Sequence, residues 1–456
     1  MSLTSLSFLG IYFPLILIGY FNPFFKKNTY RKILLLLVNI ALYSFGAPTY
    51  ILLLLAMILI NYFLVSIADK YKSNIPRAVS IIIDVGILIF FKYINKLLGL
   101  GLIHTKYSSL VFPIGLSYFT FKAISYVVDS KKVKGGNVID VAIYISNFIT
   151  IVSGPLSTYE NELPSITEKH KSNFHDIYKA TERIILGLAK KVIIADSLCL
   201  LVNHCFAAKE ISLLMAWSGA IAYTLQLFFD FSGYTDMAIG IGSLLGFNLP
   251  ENFSYPYMAN SISDFWKRWH ISLTKWFTKY IYIPLGGSKV SSRGRHIFNL
   301  FTVWLVTGLW HGSIITFIVW AMIYFLLQLL EKYSNWAKLL NKLHIGHIYT
   351  IFIVIIQWVI FRSPNLSEGY RYIKSMFLLS GNNLLSSGDI ELISKYSIPF
   401  LFGIIFSTNV GSTIKICMSK NIILNCLYNI ILILLLFTCI IISISQGYSS
   451  PLYAGF

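Results

Sequence analysis

Long apolar runs dominate this chain, and short polar stretches separate them from one end to the other. A helix that crosses a bilayer needs about 20 apolar residues, so runs that approach this length are candidate spans. These runs lie near residues 5–22, 33–46, 48–67, 78–95, 108–128, 139–154, 179–204, 213–231, 297–312, 314–330, 348–361, 396–410 and 421–446. Because several runs are short or interrupted, we expect about eleven to thirteen transmembrane or re-entrant helices.

The runs lack the alternation of apolar and polar residues that marks membrane β-strands, so a β-barrel is disfavoured. The pattern predicts an all-α, polytopic membrane protein, with amphipathic helices at the membrane interface and a central cavity. No repeat of fixed period, low-complexity tract or soluble domain separates the runs. We therefore expect residues 1–456 to form one membrane domain.

The composition supports a membrane location. Charged residues make up 12% of the 456 residues, whereas hydrophobic residues make up 56%. Soluble domains carry about a quarter charged residues, so this share cannot cover the surface of a water-soluble enzyme of this size. The 37 Lys and Arg residues exceed the 19 Asp and Glu residues, for a formal net charge of +18, but they are dispersed among apolar runs. The dispersion excludes a disordered chain and a nucleic-acid partner, and membrane lipids are the expected surroundings.

Basic residues near the ends of the runs predict the orientation of the chain, because Lys and Arg beside spans stay on the cytoplasmic side. Basic clusters follow the first, third and fifth runs: Lys26, Lys27, Arg31, Lys32, Lys70, Lys72, Arg77, Lys131, Lys132 and Lys134. The connections after the second and fourth runs carry fewer basic residues. This pattern places the amino terminus outside. The first run lacks a small-residue cleavage site, so we expect it to remain as a span.

Residue types that often bind metals are scattered along the chain. The five cysteines lie in or beside apolar runs without CxxC spacing, so neither a disulfide framework nor a metal site is expected. Most histidines are expected to have structural roles in loops or at the ends of runs: His104, His170, His175, His204, His296, His344 and His347. Lys190 and Lys191 are expected to extend toward the membrane boundary, with substrate binding as the alternative.

Two aspartates lie within an apolar segment, at Asp230 and Asp236. An ionisable side chain at mid-bilayer costs at least about 2.5 kcal/mol without a partner or a water-filled cavity, so neither should face lipid. Two interpretations stay open: the carboxylates pin helix ends through hydrogen bonds, or they line the cavity and bind substrate. Nearby glycines predict close helix contact or a broken helix, and these are Gly233, Gly240, Gly242 and Gly246.

Residues 260–280 form a basic, aromatic segment whose apolar positions recur at helical spacing. The segment predicts one amphipathic helix at the membrane interface, capped by Ser261 or Ser263. Trp and Tyr favour the headgroup level, where Lys267 and Arg268 would meet anionic lipid or the phosphates of a ligand. A lipid-anchoring helix explains the bases and the aromatic residues, but it does not explain the histidine among them.

The most informative residue is His311, which lies between Trp310 and Gly312 in an otherwise apolar run. A neutral imidazole can accept a proton near neutral pH, and the flanking glycines would let a substrate approach. His270 lies upstream, in the basic, aromatic segment. A packing role is the alternative for each histidine, but an ionisable group in a membrane favours function. His311 and His270 are therefore candidate catalytic residues, and Trp310 is a candidate substrate-binding residue.

These residues belong to an ordered set of motifs that resembles the membrane-bound O-acyltransferase family, in particular its branch of alginate, polysaccharide and peptidoglycan O-acetyltransferases. The motifs extend over about residues 110–365 and are Phe112–Phe121, Ser153–Pro155, Gly187–Asp196, Asp230–Asp236, Asp264–His270, Tyr282–Ser288, Gly308–Gly312 and Trp358–Arg362. The Pro-Leu-Gly-Gly sequence that begins at Pro284 is similar to the polysaccharide-acetylating branch, whereas the teichoic-acid D-alanylation branch usually departs there. The tail Ser450–Phe456 is looser than the aromatic tail common in relatives.

The resemblance implies an acetyl-transferring enzyme of the bacterial inner membrane. The two histidines of the family fall on His311 and His270. Acetyl-CoA on the cytoplasmic side is the implied donor substrate, with no bound cofactor and no metal. The implied acceptor is a hydroxyl group of an extracytoplasmic glycan or a relay partner protein.

The chemistry of acetyl transfer fits the candidate residues. The reaction needs a base for the hydroxyl proton, donors for the oxyanion and a path without water. We predict that His311 is the general base and that His270 orients a substrate or shuttles a proton. Lys267 and Arg268 are candidate ligands for the phosphates of the donor.

Several alternatives stay open at the level of the sequence. His311 could carry a transient acetyl group instead of acting as a base. A transporter or flippase also places His and Asp in spans, but it predicts repeat symmetry between the two halves, which we do not detect. D-alanyl transfer to teichoic acid and an inert scaffold for an extracellular partner are the remaining candidates.

Overall fold

The computed structural model is built of helices. It describes residues 3–24, 27–99, 111–133, 136–168, 173–312 and 315–446, and no strand occurs within these ranges. The predicted all-α architecture is therefore confirmed. The expectations for Lys26, Lys134, His104, His170 and the carboxyl-terminal tail lie outside the described ranges.

The α-helices follow one another with mostly short connections. In chain order they are α1 (Phe13–Tyr20), α2 (Asn28–Gly46), α3 (Ile51–Lys70), α4 (Ile75–Gly99), α5 (Leu116–Asp129), α6 (Val138–Ser146), α7 (Tyr159–Thr167), α8 (Phe174–Ala189), α9 (Ser197–Ala207), α10 (Leu213–Leu244), α11 (Ile262–Arg268), α12 (Ile271–Phe277), α13 (Arg293–His311), α14 (Ile315–Tyr333), α15 (Trp336–Lys342), α16 (Gly346–Arg362), α17 (Leu366–Ser375), α18 (Asp389–Lys395), α19 (Ser397–Phe406), α20 (Val410–Ser419) and α21 (Ile422–Gln446). Three π-helical turns lie at Phe8–Tyr12, Lys190–Asp196 and Thr278–Tyr282.

Among the described residues, four helices are long and apolar enough to cross a membrane: Pro48–Lys70, Ile75–Lys96, Ile315–Tyr333 and Ile422–Ser445. Together, α19 and α20 form a further candidate span, which is bent by 76° at the break between them. The remaining predicted runs form shorter, broken or less apolar helices, such as α1 and α16. The protein is therefore a polytopic membrane protein in which short helices accompany a few long spans.

Two predicted runs are helical over only part of their length. The run near 108–128 becomes helical at Leu116, because Gly115 has a φ of 76°, a left-handed conformation that glycine adopts without strain. The run near 139–154 is helical only as α6, which ends at Ser146. Its amino end is fixed by a reciprocal pair of hydrogen bonds between Asn137 and Asp140.

The described helices group into two compact units. The first comprises Met1–Ile184 and Tyr234–Glu251, and the second comprises Ile185–Gly233 and Asn252–Ser449. The long helix α10 contributes residues to both units. The organisation of residues 1–456 as one membrane domain stays a prediction.

A buried ion pair connects three helices of the first unit. Lys122 of α5 has its Nζ 3.1 Å from Glu162 Oε2 of α7, and it donates to the Tyr144 carbonyl of α6 at 2.9 Å. The amide of Asn147 donates to the other carboxylate oxygen at 2.7 Å. Both charged side chains are at most 1% exposed, so each depends on the other for charge compensation. The pair therefore fixes the positions of α5, α6 and α7.

Glycines let α10 approach neighbouring chain segments without breaking the helix. A Cβ atom at Gly233 would lie 2.6 Å from the Gly187 carbonyl oxygen, and one at Gly240 would lie 2.8 Å from the Ala180 carbonyl oxygen. The helix is continuous through both positions. The close-contact interpretation is confirmed here, and the interpretation of a broken helix is wrong for α10.

We expect Gly233→Ala to lower the melting temperature of the detergent-solubilised protein, because the added carbon cannot fit against the Gly187 carbonyl. Overpacking of this kind costs about 1–3 kcal/mol. Gly86→Ala is the matched control, since Gly86 also lies in an apolar helix but a Cβ atom there would have no neighbour within 4 Å. Equal melting temperatures for wild type and Gly233→Ala would contradict the close-contact interpretation.

Candidate active site

His311 is the last residue of α13 and lies beside α14. A Cβ atom at Gly308, one turn earlier, would lie 3.0 Å from the Phe317 carbonyl oxygen, and one at Gly312 would lie 2.8 Å from the Phe317 ring. The space beside both glycines is therefore occupied by α14. This corrects the expectation that the glycines leave room for a substrate: they allow α13 to pack closely on α14. Residues 313–314 lie outside the described ranges.

Aromatic rings surround the imidazole of His311. Its centroid lies 5.1 Å from the rings of Trp320 on α14 and Phe361 on α16, and both meet it nearly edge-on. The ring of Phe317 lies at 5.9 Å and that of Trp310 at 4.6 Å. His311 is only 5% exposed. Its surroundings therefore exclude bulk water, which strengthens electrostatic interactions at the ring.

His270 lies at a break between two short helices. α11 ends at Arg268, α12 begins at Ile271, and His270 has a left-handed φ of 45°. The prediction of one amphipathic helix over residues 260–280 is therefore wrong. The Ile271 amide donates to the Asn252 carbonyl at 2.9 Å, so it is not used for the hydrogen bond that a continuous helix would make.

The amino end of α11 is capped from two sides. The hydroxyl of Ser261 accepts from the Asp264 amide at 3.0 Å, which confirms the predicted cap. The carboxylate of Glu331 on α14 accepts from the amides of Ile262 and Ser263 at 2.6 and 2.9 Å. Negative charge is favoured at a helix amino terminus, so this buried carboxylate holds α11 against α14. Glu331 was not singled out in the sequence, although an acidic residue directly after an apolar run was a signal for it.

Asn252 fixes which nitrogen of His270 carries the proton. Its Oδ1 lies 3.0 Å from His270 Nδ1 and accepts from the amide and the hydroxyl of Ser272 at 3.2 and 2.9 Å. Because a backbone amide can only donate, this Asn252 atom is an acceptor, and Nδ1 of His270 must donate to it. Nε2 then holds the lone pair of the neutral ring. Burial lowers the pKa of His270, which lies outside the candidate spans, to about 3, so the ring is neutral near pH 7.

One set of contacting rings extends from the neighbourhood of His270 to that of His311. We call it the aromatic cluster, and it comprises Trp269, Trp320, Trp358 and Phe361, each at most 5% exposed. The ring centroids of Trp269 and Trp358 are 5.0 Å apart, and Trp358 lies 5.5 Å from Phe361 and 6.1 Å from Trp320. Phe361 and Trp320 both contact His311. His270 reaches the cluster through two further rings: its centroid lies 4.7 Å from that of Phe231, which lies 5.1 Å from Phe253, and Phe253 lies 5.1 Å from Trp269. The structure thus connects the two predicted catalytic histidines to one buried cluster.

The predicted cationic ligands lie at the surface of α11. Arg268 pairs with Asp264 at 3.0 Å, and both side chains are about one third exposed. Lys267 is exposed. Their role as phosphate ligands stays a prediction, as does the substrate-binding role of Trp310.

Asp230 lies in the interior of α10 and shares one cation with a second carboxylate. The Nζ of Lys191 lies 2.7 Å from Asp230 Oδ1 and 2.5 Å from Asp196 Oδ1. Lys191 and Asp230 are each 2% exposed. The expectation that Lys191 extends to the membrane boundary is therefore wrong, because two carboxylates hold its ammonium group in the interior of the second unit.

Asp236 belongs to the first unit and pairs with a different cation. Arg183 of α8 has its Nη2 2.9 Å from Asp236 Oδ1 and 2.5 Å from Glu251 Oε2. Both aspartates thus attach α10 to neighbouring segments through ion pairs, which supports the pinning interpretation. Arg183 and Glu251 were not singled out in the sequence. A substrate-binding role for either aspartate stays a prediction.

His296 is buried, contrary to the expectation of a loop or interfacial position. Its Nε2 lies 2.8 Å from Tyr282 Oη and 2.9 Å from Lys332 Nζ, and its Nδ1 lies 2.5 Å from Tyr333 Oη. These partners converge at the ends of α13 and α14 and bury the ring. Four other histidines are exposed: His175, His204, His344 and His347. The described residues contain no group of three or more potential metal ligands.

Comparison with known proteins defines the class of this chain. Residues 115–370 match the membrane-bound O-acyltransferase family. The chain is 34% identical to the probable alginate O-acetylase AlgI of Pseudomonas aeruginosa over 399 residues, which cover 83% of this chain and 75% of the relative. It is 31% identical to the peptidoglycan O-acetyltransferase of Helicobacter pylori, with 92% of this chain and 88% of the relative covered. A teichoic acid D-alanyltransferase of Bacillus subtilis is 27% identical, with 56% and 68% covered.

The chain therefore belongs to the membrane-bound O-acyltransferase family, and the resemblance seen in its motifs is confirmed. It is an acyltransferase of the membrane. Membership of this family favours acyl transfer over the transport and scaffold alternatives.

We expect Lys191→Met to destabilise the protein strongly, because the buried carboxylate of Asp230 and the partly exposed carboxylate of Asp196 lose their shared cation. Removal of one partner from a buried ion pair costs about 3–5 kcal/mol. The double variant Lys191→Met with Asp230→Asn should recover part of this loss, since it removes one of the two uncompensated charges. Thermal unfolding of the purified variants measures both effects. A double variant no more stable than Lys191→Met would contradict direct coupling of Lys191 and Asp230.

We expect Asn252→Ala to reduce acyl transfer by about 10–100-fold, the usual effect of removing a side chain that orients a functional histidine. Asn252→Asp keeps an oxygen acceptor for Nδ1 and should retain more activity. Its carboxylate should also raise the proton affinity of His270, so that activity falls at a higher pH on the acid side. Initial rates across the pH range measure these effects. Wild-type rates and an unchanged pH profile in both variants would contradict a positioning role.

Proposed function

We propose that this chain is an O-acetyltransferase of the bacterial inner membrane. The donor is a cytoplasmic thioester, acetyl-CoA, and the acceptor is a hydroxyl group of an extracytoplasmic polysaccharide, of peptidoglycan or of a relay partner protein. Support comes from the relatives named as alginate and peptidoglycan O-acetylating proteins, which match 83% and 92% of this chain. The relative named as a D-alanyltransferase matches only 56%, which favours acetyl transfer over D-alanyl transfer.

The observation that carries the assignment of residues is the position of His311 beside a buried aromatic cluster that also adjoins His270. We assign His311 as the general base. Its imidazole takes the proton of the acceptor hydroxyl while the oxygen attacks the carbonyl carbon of the thioester. The tetrahedral intermediate collapses with breakage of the carbon–sulfur bond, and the leaving thiolate receives the proton from the imidazolium.

His270 has a different role in this proposal. Asn252 holds the ring with Nδ1 as the donor, so Nε2 presents a lone pair. A neutral ring in this tautomer can accept a hydrogen bond from the acceptor hydroxyl or relay its proton, but it cannot stabilise an oxyanion through Nε2. We therefore assign His270 to orientation or proton relay on the acceptor side.

The aromatic cluster supports the chemistry by excluding water. Thioester hydrolysis competes with transfer wherever water reaches the carbonyl carbon, and a buried site suppresses that reaction. The rings that contact His311 are 5% exposed or less at Trp320 and Phe361. Attack by His311 itself, with a transient acetyl-histidine, remains the alternative route.

We expect His311→Ala to lower acetyl transfer at least about a hundredfold, because a general base contributes 10²–10⁴-fold. His204→Ala is the matched control, since His204 is an exposed histidine of the same unit. The measurement is the transfer of labelled acetyl from acetyl-CoA to glycan by the full chain in proteoliposomes. Full transfer by a correctly folded His311→Ala protein would overturn the assignment of the base.

The acceptor can be identified in cells. Mass spectrometry of exported glycan and of peptidoglycan from a deletion strain should show the loss of one class of O-acetyl ester. The wild-type chain should restore that ester, and His311→Ala should not. Loss of D-alanyl esters with all acetyl esters intact would contradict the proposal and support the D-alanyl alternative.

A further inference from the structure

A cavity of about 650 Å³ lies in the first unit, at the ends of α3, α4 and α5. This volume is within the range of pockets that enclose small ligands. Its lining belongs entirely to residues before Ile184, so it is separate from the residues around His311. The positive charge of the connections that form it predicts a cytoplasmic location.

The lining of the cavity carries more positive than negative charge. Three cations, Lys72, Arg77 and Lys131, face one carboxylate, Asp69. Asp69 pairs with Arg77. Arg77 is only 7% exposed, and its Nε is buried without a hydrogen-bond acceptor among the described residues. Lys72 and Lys131 are exposed and have no ion pair with a carboxylate in the described part of the chain. A lining with three cations and one carboxylate favours an anionic ligand.

Neutral donors complete the lining. The hydroxyl-bearing side chains of Tyr62, Tyr126 and Tyr159 border the cavity, and the rings of Tyr126 and Tyr159 pack edge-to-face at 5.0 Å. The tyrosine pair therefore forms a fixed wall beside the cations. Hydroxyl groups together with Lys and Arg form the donor set that binds phosphate oxygens.

The position of the cavity indicates the source of the phosphate. α3 and α4 are candidate spans, and two exposed apolar residues adjoin lining residues in the sequence: Phe63, which follows Tyr62 and is 65% exposed, and Ile75, which follows Asn74 and is 73% exposed. We call these two residues the apolar rim. Such exposure at the end of a span places the acyl chains of lipids next to these helices and their headgroups next to the cations. A soluble phosphate ester would use the cations and hydroxyls but not the apolar rim.

We propose that this cavity binds a phosphate-bearing ligand, and that the headgroup of an anionic phospholipid is the source that the apolar rim favours. The cations neutralise the phosphate, and the ends of α3 and α4 contact the acyl chains. The proposal concerns a site apart from the two histidines and does not depend on acetyl transfer.

The test uses the detergent-solubilised full chain and short-chain phosphatidylglycerol, with binding measured by native mass spectrometry. We expect Lys72→Ala with Lys131→Ala to weaken binding about tenfold, because each basic residue near an anionic lipid adds to the attraction. The double variant Lys70→Ala with Lys132→Ala is the matched control. It removes the same charge at exposed neighbouring positions that do not line the cavity, and it should bind as wild type does.

Two further arms separate the sources of phosphate. Short-chain phosphatidylcholine tests the need for net negative charge, and pyrophosphate added as a competitor tests a soluble source. Selective binding of phosphatidylglycerol that pyrophosphate does not displace supports the lipid assignment. Displacement by pyrophosphate supports the phosphate site but assigns it to a soluble ester. Equal weakening by the two double variants, or no weakening by either, would overturn the site.

Discussion

Charge compensation in an apolar interior is the constraint on which the rest of this structure depends. A charged side chain that leaves water must find an opposite charge or a full set of hydrogen bonds, and several buried groups here meet that demand across helices. Lys191 lies between Asp230 and Asp196, and Lys122 pairs with Glu162. The pairs Lys191–Asp230 and Lys122–Glu162 each join segments that are distant in sequence. The polar contacts therefore determine which apolar helices are neighbours. Burial of apolar surface has no direction, so it would not determine this alone.

The need for charge compensation between remote residues also explains which features the sequence could predict and which it could not. The all-helical class and the family motifs follow from local patterns, and both were confirmed, although two of the apolar runs are helical over only part of their length. Local signals also located the cap at Ser261 and the close contacts of Gly233. By contrast, the partners of buried charges are remote: Lys122 and Glu162 are 40 residues apart, and Ser263 and Glu331 are 68 apart. A pattern of 3.6 residues holds no information about such pairs.

The break at His270 shows how a long-range contact overrides a local pattern. Residues 260–280 have the spacing of one amphipathic helix, but the Ile271 amide bonds to the Asn252 carbonyl. Two of the rings that the pattern predicts at the membrane interface, Trp269 and Trp276, are buried instead. The aromatic residues therefore do not serve mainly as a lipid anchor. They form part of the packing that separates the histidines from bulk water.

The backbone of His270 is in the left-handed region, which costs a residue other than glycine about 1–3 kcal/mol and persists only where the surroundings impose it. Here Asn252 binds both the ring and the following amides, and Glu331 anchors the preceding helix. The strained backbone and Asn252 together hold the neutral imidazole of His270 in one orientation and in one tautomer. This orientation supports the proton relay that we propose for His270, and it follows from contacts of this chain alone.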